Sequence, residues 1–243
     1  LRTESDSTNH NLVNNGRTDN ITSIRRPIIE GTAEDNSTIK ITVNNNTDPN
    51  SSFIINDVPV DTNGEWVWQS TTNLDDGDYS LSVEVTDIAG NTSTADFPSL
   101  IIDSALPNQP TNLTIDNANP ENLLNDTTPT FRGNAEANSW IKVYAKPVGD
   151  NETTIELGKT QANGAGNWEF TTPNNNALTT DGIYDITTIA IDRAGNESTL
   201  SNALEIIIDT TGPVFGSKDY NGNAIINGEA SIDENVEAGT IVY

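Results

Sequence analysis

Three carboxylates recur in step along this chain, Glu34, Asp87 and Asp103 in the first half and Glu136, Asp192 and Asp209 in the second. Carboxylates are hard oxygen donors, and a calcium ion takes about six to eight oxygens, more than any one of these short segments can supply. Ion binding would therefore require acids converging from several loops, where unscreened they repel and a divalent cation is the natural neutraliser. The middle member sits in a stretch written twice, VTDIAGNTS at Val85–Ser93 and AIDRAGNES at Ala190–Ser198. That stretch also has a purely local reading. Gly90 and Gly195 supply a positive φ, Asn91 and Asn196 tolerate one, and the Asp side chain bonds nearby backbone to close a tight turn.

Other chemistries have little to work with. The chain has no cysteine, so thiolate metal sites, thiol nucleophiles and disulfides are unavailable. Its one histidine, His10, stands in a polar N-terminal stretch, a poor base for a Ser-His-Asp triad or a zinc site. Acid pairs that could cleave glycosides carry no specificity among 36 Asp and Glu. Neither an EF-hand loop nor a glycine-rich calcium nonapeptide is present, so no enzyme is expected and any calcium site rests on dispersed acids. Asn-x-Ser/Thr triplets at Asn20, Asn36, Asn91 and Asn196 are what so Asn- and Thr-rich a chain generates by chance.

With 11 Lys and Arg against 36 Asp and Glu, the formal charge over 243 residues is −25, which repels phosphate backbones and anionic headgroups. Nucleic acid is excluded as a partner. The acids are spread over both halves and do not form a tail. No run approaches the length of a membrane span. The chain opens LRTESDSTNHN, with no initiator and no signal-type apolar run, which reads as an excised segment of something longer.

The elements that would position these acids come from a tandem duplication. RPIIEGTAEDNSTIKITV lies on TPTFRGNAEANSWIKVYA at an offset of 102, and Trp66 falls on Trp168 at the same offset. DGDYSLSVEVTDIAGN meets DGIYDITTIAIDRAGN at 105, and IIDSALP meets IIDTTGP at 106. Within each copy apolar residues alternate with polar ones, as in Ile39, Ile41 and Val43 or Tyr79, Leu81, Val83 and Val85. That is the period of half-buried strands, and short runs punctuated by NG, DG and AGN predict an all-β antiparallel sandwich in each copy. Trp66 and Trp68, and likewise Trp168 and Phe170, are two apart on one strand and are expected on the core face.

The ordered blocks Gly-x-Ala-Glu, Gly-x-Trp, Asp-Gly-x-Tyr, Asp-x-Ala-Gly-Asn and Ile-Ile-Asp before Pro resemble bacterial Ig-like repeats, which build the stalks of giant surface adhesins. The remaining segment, with Asp233-Glu234-Asn235 before Gly239-Thr240-Ile241-Val242-Tyr243, is similar to the opening of a cadherin-like repeat. The expected division is a linker tail at 1–7, Ig-like domains at 8–106 and 107–213 arranged end to end, and a cadherin-like start at 214–243. The resemblance implies calcium at the junctions. The first ligand set is then Glu34, Asp87 and Asp103 at a shared C-terminal pole, with Asp116 entering from the second domain; the second is Glu136, Asp192 and Asp209 with Glu234. The implied role is a non-enzymatic, calcium-stiffened spacer on a bacterial cell surface, serving cell adhesion and biofilm. Its partners would be calcium, neighbouring repeats, and surface glycans or host or biofilm matrix reached through other domains. Two alternatives stand beside it: a glycan-binding module using Trp140 and Tyr144, and a strand-exchanging filament subunit using the strand-like GTIVY end.

Overall fold

The computed structural model describes residues 20–116, 121–149, 153–212, 217–218 and 224–225. His10, Glu234 and nearly all of the segment 214–243, expected to open a cadherin-like repeat, lie outside them. The first domain contains β1 (Ile21–Thr22), β2 (Ile28–Thr32), β3 (Thr38–Asn45), β4 (Phe53–Pro59), β5 (Glu65–Gln69), β6 (Gly77–Thr86) and β7 (Thr92–Ile102). The second contains β8 (Thr111–Ile115), β9 (Leu123–Leu124), β10 (Thr130–Asn134), β11 (Trp140–Pro147), β12 (Ile155–Gln161), β13 (Asn167–Thr171), β14 (Gly182–Ile191) and β15 (Leu204–Ile208). A short antiparallel pair, β16 (Ser217–Lys218) and β17 (Ala224–Ile225), follows.

Each domain sets a five-stranded sheet, ordered β1-β7-β6-β3-β4 in the first and β12-β11-β14-β15-β9 in the second, against a smaller one. The smaller sheets are β2-β5 and β13-β10-β8. The alternation read from the sequence is the burial pattern observed: Ile39, Ile41, Val43, Tyr79, Leu81 and Val83 form one core with Ile29 and Trp66. Phe131, Ile141, Val143, Ile186 and Trp168 anchor the other. Trp66 and Trp168 are 3% and 4% exposed, which confirms the strand phase, and Trp68 and Phe170 point to the same cores.

The repeated blocks have local causes. An ideal Cβ on Gly31 would stand 2.7 Å from Trp66 Cζ2, and one on Gly133 would stand 2.6 Å from Trp168 Cζ2. The Gly of Gly-x-Ala-Glu is the floor on which the mid-domain indole lies. Tyr79 Oη donates to the Asp75 carbonyl at 2.8 Å and Tyr184 Oη to the Thr180 carbonyl at 2.7 Å, tying each Tyr back across the corner before its strand. That bond is what Asp-Gly-x-Tyr preserves.

Strand direction fixes two poles per domain. Thr38 opposes Thr86 and Trp140 opposes Ile191 at one end, where Ala33 and Ala135 also donate to Gly64 and Gly166. Gly77 opposes Ile102 and Gly182 opposes Ile208 at the other. The chain enters the second domain at the first kind of end, since Thr111 opens β8 opposite Asn134. We name this the leading pole and the other the trailing pole.

Trp66→Ala and Trp168→Ala are each expected to destabilise their own domain by roughly 3–5 kcal/mol, read as the loss of one of two thermal transitions. Gly133→Ala is expected to lower the second transition only, because the added methyl displaces Trp168.

Candidate functional site: the polar turn and the domain junction

The Asp-x-Ala-Gly-Asn segment closes on itself. Asp87 N–H donates to the Asn91 carbonyl at 3.0 Å and Gly90 N–H to the Asp87 carbonyl at 3.1 Å. Asn91 returns its backbone N–H to Asp87 Oδ1 and its carboxamide to Asp87 Oδ2, both at 2.7 Å. Asp192 and Asn196 repeat the arrangement at 2.9 and 2.8 Å. Gly90 and Gly195 take φ of 89° and 85°, as a three-residue hairpin loop with a left-handed third residue requires.

Two further loops share the backbone plan. Asp61 and Glu65 close one, Asn163 and Asn167 another, with Gly64 and Gly166 at φ of 77° and 80°. Asn163 does with a carboxamide oxygen what Asp61 does with a carboxylate, so the loop itself needs an acceptor and no charge. The local reading of the repeated segment is thus fully met. What distinguishes Asp87 and Asp192 is that their second oxygen orients the side chain of the Asn that closes the loop, at 2.7 and 2.8 Å, whereas the second oxygen of Asp61 meets Asn63 inside the loop at 3.4 Å.

Hairpin direction corrects the expected ligand sets. Asp87 follows β6 at the leading pole, whereas Asp103 follows β7 at the trailing pole, nine residue steps away along β6, or roughly 30 Å at about 3.3 Å per residue. Asp192 and Asp209 are separated in the same way along β14. The repeated turn therefore lies at the leading pole and does not stand beside the Asp that ends the final strand. Glu34 and Glu136 share that pole with their turns, but both are exposed, and their carbonyls accept from Ser37 and Ser139. Asp116 does not enter the first junction: it follows β8, with its N–H on the Thr130 carbonyl, and its carboxylate receives Arg132 Nε and Nη2 at 2.8–3.0 Å. Arg132 Nη1 also meets Glu169. Glu234 lies outside the described residues. Among the described residues no group of three or more acids assembles that could hold a metal ion. Asp87 with Asp103, and Asp192 with Asp209, are thus not brought together within a domain as the expected sets required.

The closing Asp residues act locally. Asp103 and Asp209 donate their N–H to the Thr22 and Leu124 carbonyls and accept from the Ala105 and Thr211 N–H at 3.1 and 3.0 Å. Beside them, the Asp of Asp-Gly-x-Tyr holds the departing chain, a role missed in the sequence although the block repeats. Ser104 Oγ donates to Asp76 Oδ1 at 2.8 Å, and Asp181 receives Thr210 N–H, Thr210 Oγ1 and Thr211 Oγ1 at 2.7–2.9 Å.

The decisive contact crosses between domains. Asn196 Nδ2, already bonded to Asp192 Oδ2, donates at 2.8 Å to the main-chain carbonyl of Asp103, where the first domain ends. Thr199 Oγ1 meets Gln109 Oε1 at 3.3 Å, and Pro107 and Pro110 are buried. Ala194 is fully buried, and Asp192, Asn196 and Ser198 are each 9% exposed. The exit segment of one domain thus lies in the leading pole of the next.

The outer face around Trp140 is internally engaged. Lys159 Nζ stands over the Trp140 ring at 5.5 Å from its centroid, and Lys142 Nζ, between Trp140 and Tyr144, bonds Glu197 at 3.1 Å.

These features belong to a recognised class. The chain matches the bacterial Ig-like domain model twice, at residues 3–104 and 112–210, and so belongs to that family as two tandem Ig-like domains. No curated protein sequence matches it significantly. Similar solved structures include the first to third fibronectin domains of chicken CNTN1 (13% identity, TM-score 0.47, 77% of this chain and 62% of that one). Others are a 1.5-MDa bacterial ice-binding adhesin (18%, 0.35, 80% and 62%) and fibronectin(III)-like modules of Clostridium thermocellum CbhA (14%, 0.41, 77% and 87%). The chain spans less than two thirds of the CNTN1 and adhesin chains. Among the described residues no helix is long and apolar enough to cross a membrane.

Five carboxyls among the described residues, Asp48, Asp61, Asp87, Asp116 and Asp181, are held below their ordinary value, and Asp87 and Asp181 are the two that belong to the repeated blocks discussed above. The Asn91 carboxamide and N–H hold the Asp87 carboxyl below its ordinary value, and the Thr211 hydroxyl with Thr210 does the same for Asp181. A depressed folded-state pKa gives stability that is complete above the unfolded value near about 3.9 and is lost as pH falls through the lower folded value. Thermal stability is therefore expected to fall below about pH 4. Asp87→Asn should flatten that fall for the first domain and Asp181→Asn for the second; an unchanged acid limb in both variants would remove these two groups from the linkage.

Proposed function

We propose that this chain is a spacer from the extracellular stalk of a large bacterial surface adhesin, with no catalytic role. Its work is mechanical: sandwiches joined pole to pole hold a distal binding region away from the cell. The observation that carries this reading is the bond from Asn196 to the Asp103 carbonyl, which couples one domain's exit to the next domain's entry. Burial of Ala194, Pro107 and Pro110 around it supports the same reading, because a loosely tethered linker would leave these groups in water. The absence of cysteine leaves packing and hydrogen bonds to carry any load, and the charge of −25 keeps neighbouring stalks apart.

Calcium stiffening and a part in biofilm were the finer expectations, and no step of the proposal runs through an ion. Small-angle scattering on the full chain separates the contributions. Asn196→Ala is expected to broaden the interdomain distance distribution while leaving both thermal transitions in place. Wild-type profiles in chelator and in millimolar calcium are expected to superimpose at this junction. If Asn196→Ala changes nothing while calcium straightens the chain, the coupling belongs to the acids and the hydrogen-bonded junction is discarded.

A further inference from the structure

Two Asn-Gly steps fall among the described residues, Asn63-Gly64 and Asn163-Gly164, and they occupy different places in matching loops. An Asn before Gly is open to attack on its carboxamide by the next main-chain nitrogen, because Gly has no Cβ to obstruct ring closure and turns freely. At Asn63 that nitrogen is committed. Gly64 N–H donates to the Asp61 carbonyl at 3.1 Å, its carbonyl accepts from Ala33, and the residue is buried at a φ of 77°. Asn163 instead opens its loop. Its Oδ1 accepts from the Ala165 and Asn167 N–H at 2.9 and 3.0 Å, which draws electron density from the carboxamide carbon. Gly164 N–H has no acceptor among the described residues, Asn163 and Gly164 are both exposed, and an ideal Cβ on Gly164 would meet nothing within 4 Å.

We propose that Asn163 is a self-modifying site, converted without an enzyme to an acidic residue as the protein ages. The deprotonated Gly164 nitrogen attacks Asn163 Cγ and forms a C–N bond; Nδ2 takes up a proton and leaves as ammonia, closing a five-membered succinimide. Water then opens the ring. Addition at Cγ breaks the new C–N bond and restores the main chain with an aspartate at this position. Addition at the main-chain carbonyl breaks the original peptide bond to Gly164 and leaves an isoaspartate, whose main chain runs through the former side chain. One water is consumed and one ammonia released on either route. The loop treats the two products differently. Aspartate is accommodated, since Asp61 in the matching place accepts from the Asn63 and Glu65 N–H at 2.8 Å each. Isoaspartate adds a methylene to the main chain at the residue whose N–H and carbonyl bond Asn167, Gly166 and Asn138, so those bonds and the two to Oδ1 cannot all be kept. The connection between β12 and β13 then loosens. Either product adds a negative charge to the leading pole of the second domain, the end that receives the first domain's exit segment. The chemistry is the same whichever bacterial protein the domains serve.

The test incubates the full chain in mildly alkaline buffer for weeks and maps each digest by mass spectrometry with electron-transfer fragmentation, which separates aspartate from isoaspartate. In the folded chain Asn163 is expected to convert on the order of tenfold faster than Asn63, the factor set by breaking the Gly64 hydrogen bond before attack. In denaturant the two steps are expected to react at comparable rates, which assigns the difference to the fold. Gly164→Ala keeps the loop, because the site is open and its φ lies outside the left-handed region, and is expected to slow conversion at Asn163 on the order of tenfold. Asn163→Asp is expected to leave the second thermal transition in place. An Asn163 that stays intact in the folded chain while it converts in denaturant overturns the inference, and so does an Asn63 that converts as fast or faster. Loss of the second transition in Asn163→Asp would overturn the accommodation of aspartate in the loop.

Discussion

One carboxamide bonded to two acceptors governs the relation between the two domains. Asn196 Nδ2 is held by Asp192 Oδ2 and from that position donates to the Asp103 carbonyl. A freely rotating asparagine would give up side-chain freedom on making an interdomain bond. Here the hairpin turn has already fixed the side chain, so the bond forms from a prepared donor. Burial of the turn removes competing water, which makes an unmade bond costly and a made one directional.

Each sandwich contributes to that donor in a definite way. The long strands β6 and β14 carry the core on one face and deliver the Asp to the leading pole; the corner tyrosines and the Asp-Gly carboxylates fix where those strands begin and where the chain leaves. Gly31 and Gly133 let the indoles of Trp66 and Trp168 lie flat between the sheets, which holds the strands preceding the Ala-Glu corner close to the core. Rigidity at the poles is therefore inherited from the packing beneath them.

Much of this was legible in the sequence, for physical reasons that differ by feature. Alternation at Ile39, Ile41 and Val43 states which face is buried, and the structure returns those side chains at 1%, 0% and 1% exposure. The Gly and Asn of the repeated turn announced a tight hairpin, and its hydrogen bonds match the local reading. The grouping of acids failed because a hairpin between the last two strands sends its turn and its final residue to opposite ends, so Asp87 and Asp103 cannot meet. Asp116 was misplaced because its partner, Arg132, sits on a neighbouring strand with nothing in the local pattern to mark it. The junction was illegible for a different cause: its acceptor is a main-chain carbonyl, which every residue has, and its donor was read only as a turn former.

On the proposed reading the two domains are coupled through the Asn196–Asp103 hydrogen bond itself. Residual dipolar couplings measured on both domains in chelator test it most directly, since domains that tumble as one body share a single alignment tensor. A common tensor in magnitude and orientation, splitting into two in Asn196→Ala, is the result this account requires. Two different tensors for the unmodified chain in chelator would contradict it.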